Sequence, residues 1–185
     1  MNKEAFKKLL ASLEGLDYFF ISGFAVSIYL NGKKSFGDLD LVVHEKDIDR
    51  FANKIGAKLK RRLINKGTFT VNDYGFETKF LDLDIEATSG YPIKRVKENT
   101  FNKLFKYRVK RDFQGLKVYL APIEEVLAQK AFFNREKDKK DLDMLKGIKF
   151  SKDLLLEISN DVGEKDKIIK NLKERGYKVW IKRNF

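Results

Sequence analysis

Two stretches of the chain place aspartates at alternate positions inside otherwise apolar runs: Asp38-Leu39-Asp40-Leu41-Val42-Val43 and Phe80-Leu81-Asp82-Leu83-Asp84-Ile85. In an extended strand successive side chains point to opposite faces, so Asp38 shares a face with Asp40, and Asp82 with Asp84, while the intervening leucines face a core. Carboxylates side by side repel, and without a partner one of them is driven neutral. Keeping them in apolar strands is costly unless something binds them; the plainer alternative is a solvated strand face. A divalent cation resolves the conflict. Mg²⁺ takes oxygen ligands and is held by one or two carboxylates plus substrate phosphates. If the two strands are neighbours, three or four carboxylates meet at one sheet edge, enough for a two-metal site that activates a nucleophile and stabilises a leaving phosphate.

Composition narrows the chemistry further. Among 185 residues there is no cysteine and a single histidine, His44. Disulfides, thiolate nucleophiles, thiolate-bound metals and sites needing two imidazoles are thereby excluded. What remains is carboxylates, Lys/Arg, hydroxyls and backbone. A hydrophobic share of 43% supplies a core, which rules out a disordered basic tail. The longest apolar run, Tyr18 to Leu30, contains Ser22, Gly23 and Ser27 and falls short of the roughly 18 residues of a membrane span. The N-terminus does not read as a secretory signal, so no membrane association and a cytoplasmic address are expected.

Periodicity predicts a mixed α/β sheet flanked by helices, followed by a mainly helical segment. A helix over residues 3–14 puts Phe6, Leu9, Leu10 and Leu13 on one face and ends at Gly15. A short strand at Tyr18–Ile21 meets the Ser22-Gly23 turn and a buried helix over Phe24–Leu30. After the Asp38–Val43 strand, Asp47 opens a helix that stops at Gly56. Strands are expected at Ala57–Ile64, Thr68–Val71 and Thr78–Ala87, with Asn72, Asp73 and Gly75 as turn residues. Helices follow at Ile123–Phe133, Lys139–Leu145, Ser151–Ser159 and Glu164–Arg175, with a final strand over Tyr177–Lys182. The division expected is a core over 1–120 and a helical segment over 121–185 packed on it.

The formal net charge is +12, and it is regional. Arg50 to Lys66 carries seven basic residues and no acidic one; Lys94 to Lys117 carries nine basic and two acidic, leaving the rest slightly acidic. Phe101, Phe105, Tyr107 and Phe113 interleave the second window and suit stacking on RNA bases. Alternation of a half-buried strand over Leu104–Val109 explains the same pattern without a ligand. The Ser22-Gly23 turn, at a strand–helix junction, aims backbone N–H groups at a helix N-terminus, a seat for phosphate.

Ile21-Ser22-Gly23-Phe24-Ala25, the Asp38–Val43 run, and Leu83-Asp84-Ile85 followed by Thr88-Ser89-Gly90 together resemble the nucleotidyltransferase superfamily of DNA polymerase beta type, within it the minimal group that includes antitoxin-like and AbiEii-like proteins. The likeness extends more weakly through Leu120–Lys130 to Asp138, Asp141 and Leu142. The turn reads Ser-Gly where that family commonly has Gly-Gly or Gly-Ser. The resemblance implies a Mg²⁺-dependent transfer of a nucleoside monophosphate from an NTP to a hydroxyl of RNA, such as a tRNA end, or of a protein. It implies that Ser22 and Gly23 hold the phosphates, that Asp38 and Asp40 hold Mg²⁺, expected as two ions, and that Asp84 is the third catalytic and metal-binding carboxylate, with Asp82 as alternative. Lys130 is a candidate for the triphosphate, against the plainer reading of a solvated helix lysine. Asp138 and Asp141 read as surface partners of Lys137 or Arg135. Partners implied are an NTP with RNA or a toxin-like protein; a non-catalytic antitoxin-like or nucleic-acid-binding module is the alternative on the same fold.

Overall fold

The computed structural model describes residues 1–66, 69–89 and 104–179, and of 61–66 and 69–74 the backbone. Its strands are β1 (Tyr18–Phe20), β2 (Leu39–Val43), β3 (Lys60–Lys66), β4 (Phe69–Phe80), β5 (Leu83–Thr88), β6 (Val109–Phe113) and β7 (Leu116–Leu120). Its helices are α1 (Lys3–Ser12), α2 (Ser22–Tyr29), α3 (Glu45–Lys54), α4 (Ile123–Phe133), α5 (Glu136–Leu145), α6 (Lys152–Asp161) and α7 (Lys165–Glu174).

All three residues of β1 are buried, which places the strand inside the sheet with both faces covered. The seven strands lie in the order β3-β4-β5-β2-β1-β7-β6. β2 runs antiparallel to β1 and parallel to β5, while β7 runs parallel to β1. The sheet is therefore mixed, as the sequence predicts.

Helix α4 is buried along nearly its whole length, and two of its charged side chains are paired within the fold. Glu124 Oε1 accepts from Ser151 N–H at 2.5 Å, and Lys130 pairs with Asp138 at 3.1 Å. α6 and α7 pack on this helix, and Asn171 donates to the Ala131 carbonyl at 2.8 Å. One continuous buried cluster runs from Ala5 to Val179, so residues 121–179 share a core with the sheet.

Five phenylalanines pack behind the β1–α2 junction. Phe24 of α2 lies 4.7 Å from Phe20, 4.9 Å from Phe36 and 5.1 Å from Phe113, ring centre to ring centre, with Phe6 at 5.6 Å. Phe36 thereby anchors the connection between α2 and β2, the segment that leads into Asp38.

Several expected boundaries move, and the reasons are local. Asn72, Asp73 and Gly75 do not turn the chain: β4 runs straight through them. Gly75 is there because a Cβ would come within 2.7 Å of the Ala87 carbonyl across the β4–β5 pair. The reversal comes at Leu81-Asp82, where Leu81 adopts φ 56°, so the strand expected over Thr78–Ala87 is two strands. Leu104–Tyr107 is a helical turn and not a strand; Leu104 is buried and Phe105 packs on Phe19 at 4.9 Å. Tyr177–Val179 carry no strand, and the remainder of the expected Tyr177–Lys182 strand lies outside the described residues.

Truncating the centre of the aromatic cluster, Phe24→Ala, should cost about 3–5 kcal/mol of stability in chemical denaturation. A cost under about 1 kcal/mol would show that the cluster does not carry the packing of α2 on the sheet.

Candidate functional site

The site lies where β1 ends and α2 begins. Ile21 N–H donates to the Asp40 carbonyl at 3.0 Å, which holds the β1–α2 junction against β2. Ser22, the first residue of α2, has φ 52°, a left-handed conformation unusual for a residue with a side chain. The first N–H groups of α2 have no acceptor within the helix, and Ser22 and Gly23 line the adjoining cavity. The Ser22 hydroxyl donates to Gln129 Oε1 at 3.2 Å and also hydrogen-bonds the Asp40 carboxyl. A hydroxyl has one proton, so serving both needs the Gln129 amide turned or Asp40 protonated.

That cavity measures about 490 Å³ and has two walls of opposite charge. On the sheet side stand Asp38, Asp40 and Glu86; on the helix side stand Lys130, Arg135 and Lys137, with Lys34 on the α2–β2 connection. Asp40 sits directly opposite Glu86 in the parallel β2–β5 register, so both side chains project from the same face. Burial, followed by repulsion from Asp38 and Glu86, pushes the Asp40 carboxyl up to about 6; the Ser22 hydrogen bond and the Lys130 charge oppose this.

The expected site residues are thus divided. Ser22, Gly23, Asp38, Asp40 and Lys130 line one cavity. Asp84 is exposed and, with Asp82, lines a neighbouring cavity of about 410 Å³; Lys34 to Gly37 border both. Asp82 lies in the β4–β5 turn and accepts from the Asn2 side chain at 3.1 Å. Glu86, absent from the sequence expectation, takes the place beside Asp40. Its signal was available as the next same-face residue after Asp84, but only the register of β5 on β2 selects it.

Asp138 and Asp141 are not surface residues. Asn134, at φ 50°, closes α4 in the left-handed conformation, and α5 starts two residues later, folding back on α4. Asp138 and Asp141, three apart on α5, then meet Lys130 at 3.1 and 2.9 Å with their side chains nearly fully buried. Asp138 also accepts from the Arg135 side chain, Nε at 2.6 Å and Nη2 at 3.3 Å, and from the Arg135 backbone N–H at 3.2 Å. Burial tends to raise the Asp138 carboxyl, but Arg135 and Lys130 outweigh it and hold it below the usual range. Lys34 pairs with Asp141 at 2.6 Å.

The oxygen-only donors and the raised Asp40 fit a divalent cation. Among the described residues no three His, Asp or Glu converge into a ready-made metal cage. An ion held by two of these carboxylates would take the rest of its shell from water and phosphate, as Mg²⁺ does.

The chain matches no family model and no curated protein. Among solved structures, it is similar to a protein from Thermotoga maritima described as a nucleotidyltransferase, with a TM-score of 0.56 and 14% identity over 75% of this chain and 88% of that one. The fold is that of a nucleotidyltransferase. The antibiotic-resistance factor ANT(2'')-Ia, solved with adenylyl-2''-tobramycin, aligns over 95% of this chain and 98% of its own at 10% identity, with a TM-score of 0.49. The first likeness carries the fold assignment. Within this fold, the cavity beside Ser22 and Asp40 is the candidate functional site.

A larger groove, about 1030 Å³, opens at the other end of β1, lined by Lys46, Arg50, Arg108, Lys110, Lys117 and Tyr119 among others. Asp17 there pairs with Lys46 at 2.7 Å and Arg108 at 3.1 Å. It holds part of the second basic window. Of the aromatics expected to stack bases, Phe105 and Phe113 pack against other rings, Tyr107 is exposed, and Phe101 lies outside the described residues. Among the described residues no helix is long and apolar enough to cross a membrane.

Because the fold raises Asp40, folding without metal takes up a proton between the ordinary aspartate range and pH 6. Stability is lost as pH rises through that window, by about 3 kcal/mol. Melts in chelator at about pH 5 and about pH 8 should show a larger drop for the wild type than for Asp40→Asn; equal drops contradict the raised carboxyl. The register carries a second expectation: Glu86→Gln should lower any metal-dependent reaction run in this cavity by roughly a hundredfold and Asp84→Asn by less than about threefold. The reverse order would return the third carboxylate to Asp84.

Proposed function

We propose that the protein is a Mg²⁺-dependent nucleotidyltransferase that moves a nucleoside monophosphate from an NTP to an acceptor hydroxyl. The observation that carries this reading is the two-walled cavity: carboxylates at Asp38, Asp40 and Glu86 face cations at Arg135, Lys137 and Lys34 across the start of α2. A Mg–triphosphate complex is complementary to that arrangement, since its metal suits one wall and its phosphates the other.

Asp38 and Asp40 would hold the metal, with Glu86 beside Asp40, and when bound it neutralises phosphate charge and favours ionisation of the acceptor hydroxyl. The first N–H groups of α2, at Ser22, Gly23 and Phe24, bind phosphate oxygens. The acceptor oxygen attacks the α-phosphorus, forming a new P–O bond; the bond to the β-phosphate oxygen breaks and pyrophosphate leaves with its electron pair. The acceptor proton passes to solvent or to a carboxylate of the sheet wall. Arg135 and Lys34 stabilise the charge that accumulates on the leaving pyrophosphate.

The acceptor is a hydroxyl of RNA or of a protein, and an NTP substrate is consistent with a cytoplasmic setting. Incubation with each α-labelled NTP, Mg²⁺ and either total cellular RNA or a partner protein should label the acceptor. Asp38→Asn with Asp40→Asn should abolish the labelling. Labelling that persists in that variant sinks the assignment, and a wild type that neither labels nor binds any Mg–NTP favours a non-catalytic module.

A further inference from the structure

Lys130 is the cation most deeply set in the cavity wall, yet its ammonium group is not presented to a ligand. Its side chain is 5% exposed, and Nζ lies between Asp138 and Asp141. Each of those carboxylates also holds a second cation, Asp138 sharing Oδ1 between Lys130 and Arg135. Asp138 grips Arg135 through two nitrogens, and Asp141 holds Lys34 at 2.6 Å. Arg135 is further fixed over the Phe133 ring, 5.0 Å from its centre, with its side chain 53% exposed. The Lys34 side chain is 24% exposed, and its backbone carbonyl accepts from the Ser27 hydroxyl at 2.6 Å. Both cations line the same cavity as Asp40.

We infer that Lys130, Asp138 and Asp141 form a buried two-armed charge relay whose purpose is to position Arg135 and Lys34, one from each arm, as the pair that grips the triphosphate. The inference rests on the nucleotide site proposed above and reassigns the phosphate contact from Lys130 to the two outer cations. Its physical basis is preorganisation. Arg and Lys side chains lose substantial rotamer freedom on binding phosphate, and a carboxylate that already fixes them removes part of that cost. The relay holds three cations against two carboxylates, so one positive charge remains for the ligand after internal pairing. Arg135 keeps guanidinium N–H groups beyond those spent on Asp138, so it can hold a phosphate without leaving its arm. Asp138 and Asp141 are positioning residues on this account, and Arg135 and Lys34 touch the ligand.

Removing Lys130 would strip two buried carboxylates of the cation they share, so the arms are the better place to test. Binding of each Mg–NTP to the full chain is measured by calorimetry for wild type, Lys34→Met, Asp141→Asn, Arg135→Gln, Asp138→Asn and the within-arm double variants, with melting temperatures alongside. Lys34→Met and Arg135→Gln should each weaken binding by about tenfold. Asp141→Asn should weaken it by a similar factor, with no further loss on the Lys34→Met background; Asp138→Asn should behave likewise with Arg135→Gln. Arg135→Lys, which keeps the charge and loses the fork, should recover only part of the affinity. Carboxylate variants that melt earlier yet bind with wild-type affinity overturn the relay and leave a structural network. Additive losses within an arm also overturn it. Absence of Mg–NTP binding by the wild type refutes the nucleotide site itself, a result distinct from either.

Discussion

The parallel pairing of β2 with β5 is the constraint on which the site depends. It sets Asp40 against Glu86 and leaves Asp84 one pleat back, so a shift of two residues would exchange the two acids. The register is held from both sides. Antiparallel pairing with β1 fixes β2 through Tyr18–Phe20, and β4 fixes β5 from Gly75 to Phe80. The buried alternation of Leu83, Ile85 and Ala87 prevents a one-residue slip, because such a slip would put carboxylates into the core.

Much of this was legible in the sequence, and what was not has identifiable causes. The helices were readable because their apolar spacing is strong: Phe6 and Leu9 in α1, or Ile48, Phe51 and Ala52 in α3. The strand carrying Asp38 and Asp40 was readable because acids alternating with leucines fit the two faces of a pleated strand and do not fit one face of a helix. The β4–β5 boundary was hidden because Gly75 looks like a turn residue but serves close strand approach, whereas the true turn contains Leu81 in a left-handed conformation. Glu86 was missed because its selection depends on pairing between segments more than forty residues apart. Asp138 and Asp141 were read as surface acids since a helix pattern rich in Lys and Asp normally faces water. Their burial follows from the sharp reversal at Asn134, which local periodicity does not encode.

The electrostatic design of the cavity is a separation of roles between sheet and helices. Strands carry the acids because adjacent strands bring carboxylates within interacting distance on one face. Helices carry the cations because α4 and α5, folded back on each other, can bury a lysine between two aspartates while leaving longer side chains at the surface. Neither wall is satisfied alone: Asp40 is forced toward its neutral form, while the cationic wall retains an uncompensated charge. A ligand carrying both a metal and phosphates relieves both frustrations at once.

The serine at the head of α2 has a consequence for how this chain tolerates change. A left-handed residue with a Cβ is held about 1–2 kcal/mol above its relaxed state, and glycine would remove that cost. The same replacement would delete the hydroxyl that reaches Gln129 and Asp40. Position 22 therefore lies on a trade-off between thermal robustness and chemical readiness. Relaxed backbone and a hydroxyl at this junction are demands that no single residue type meets together.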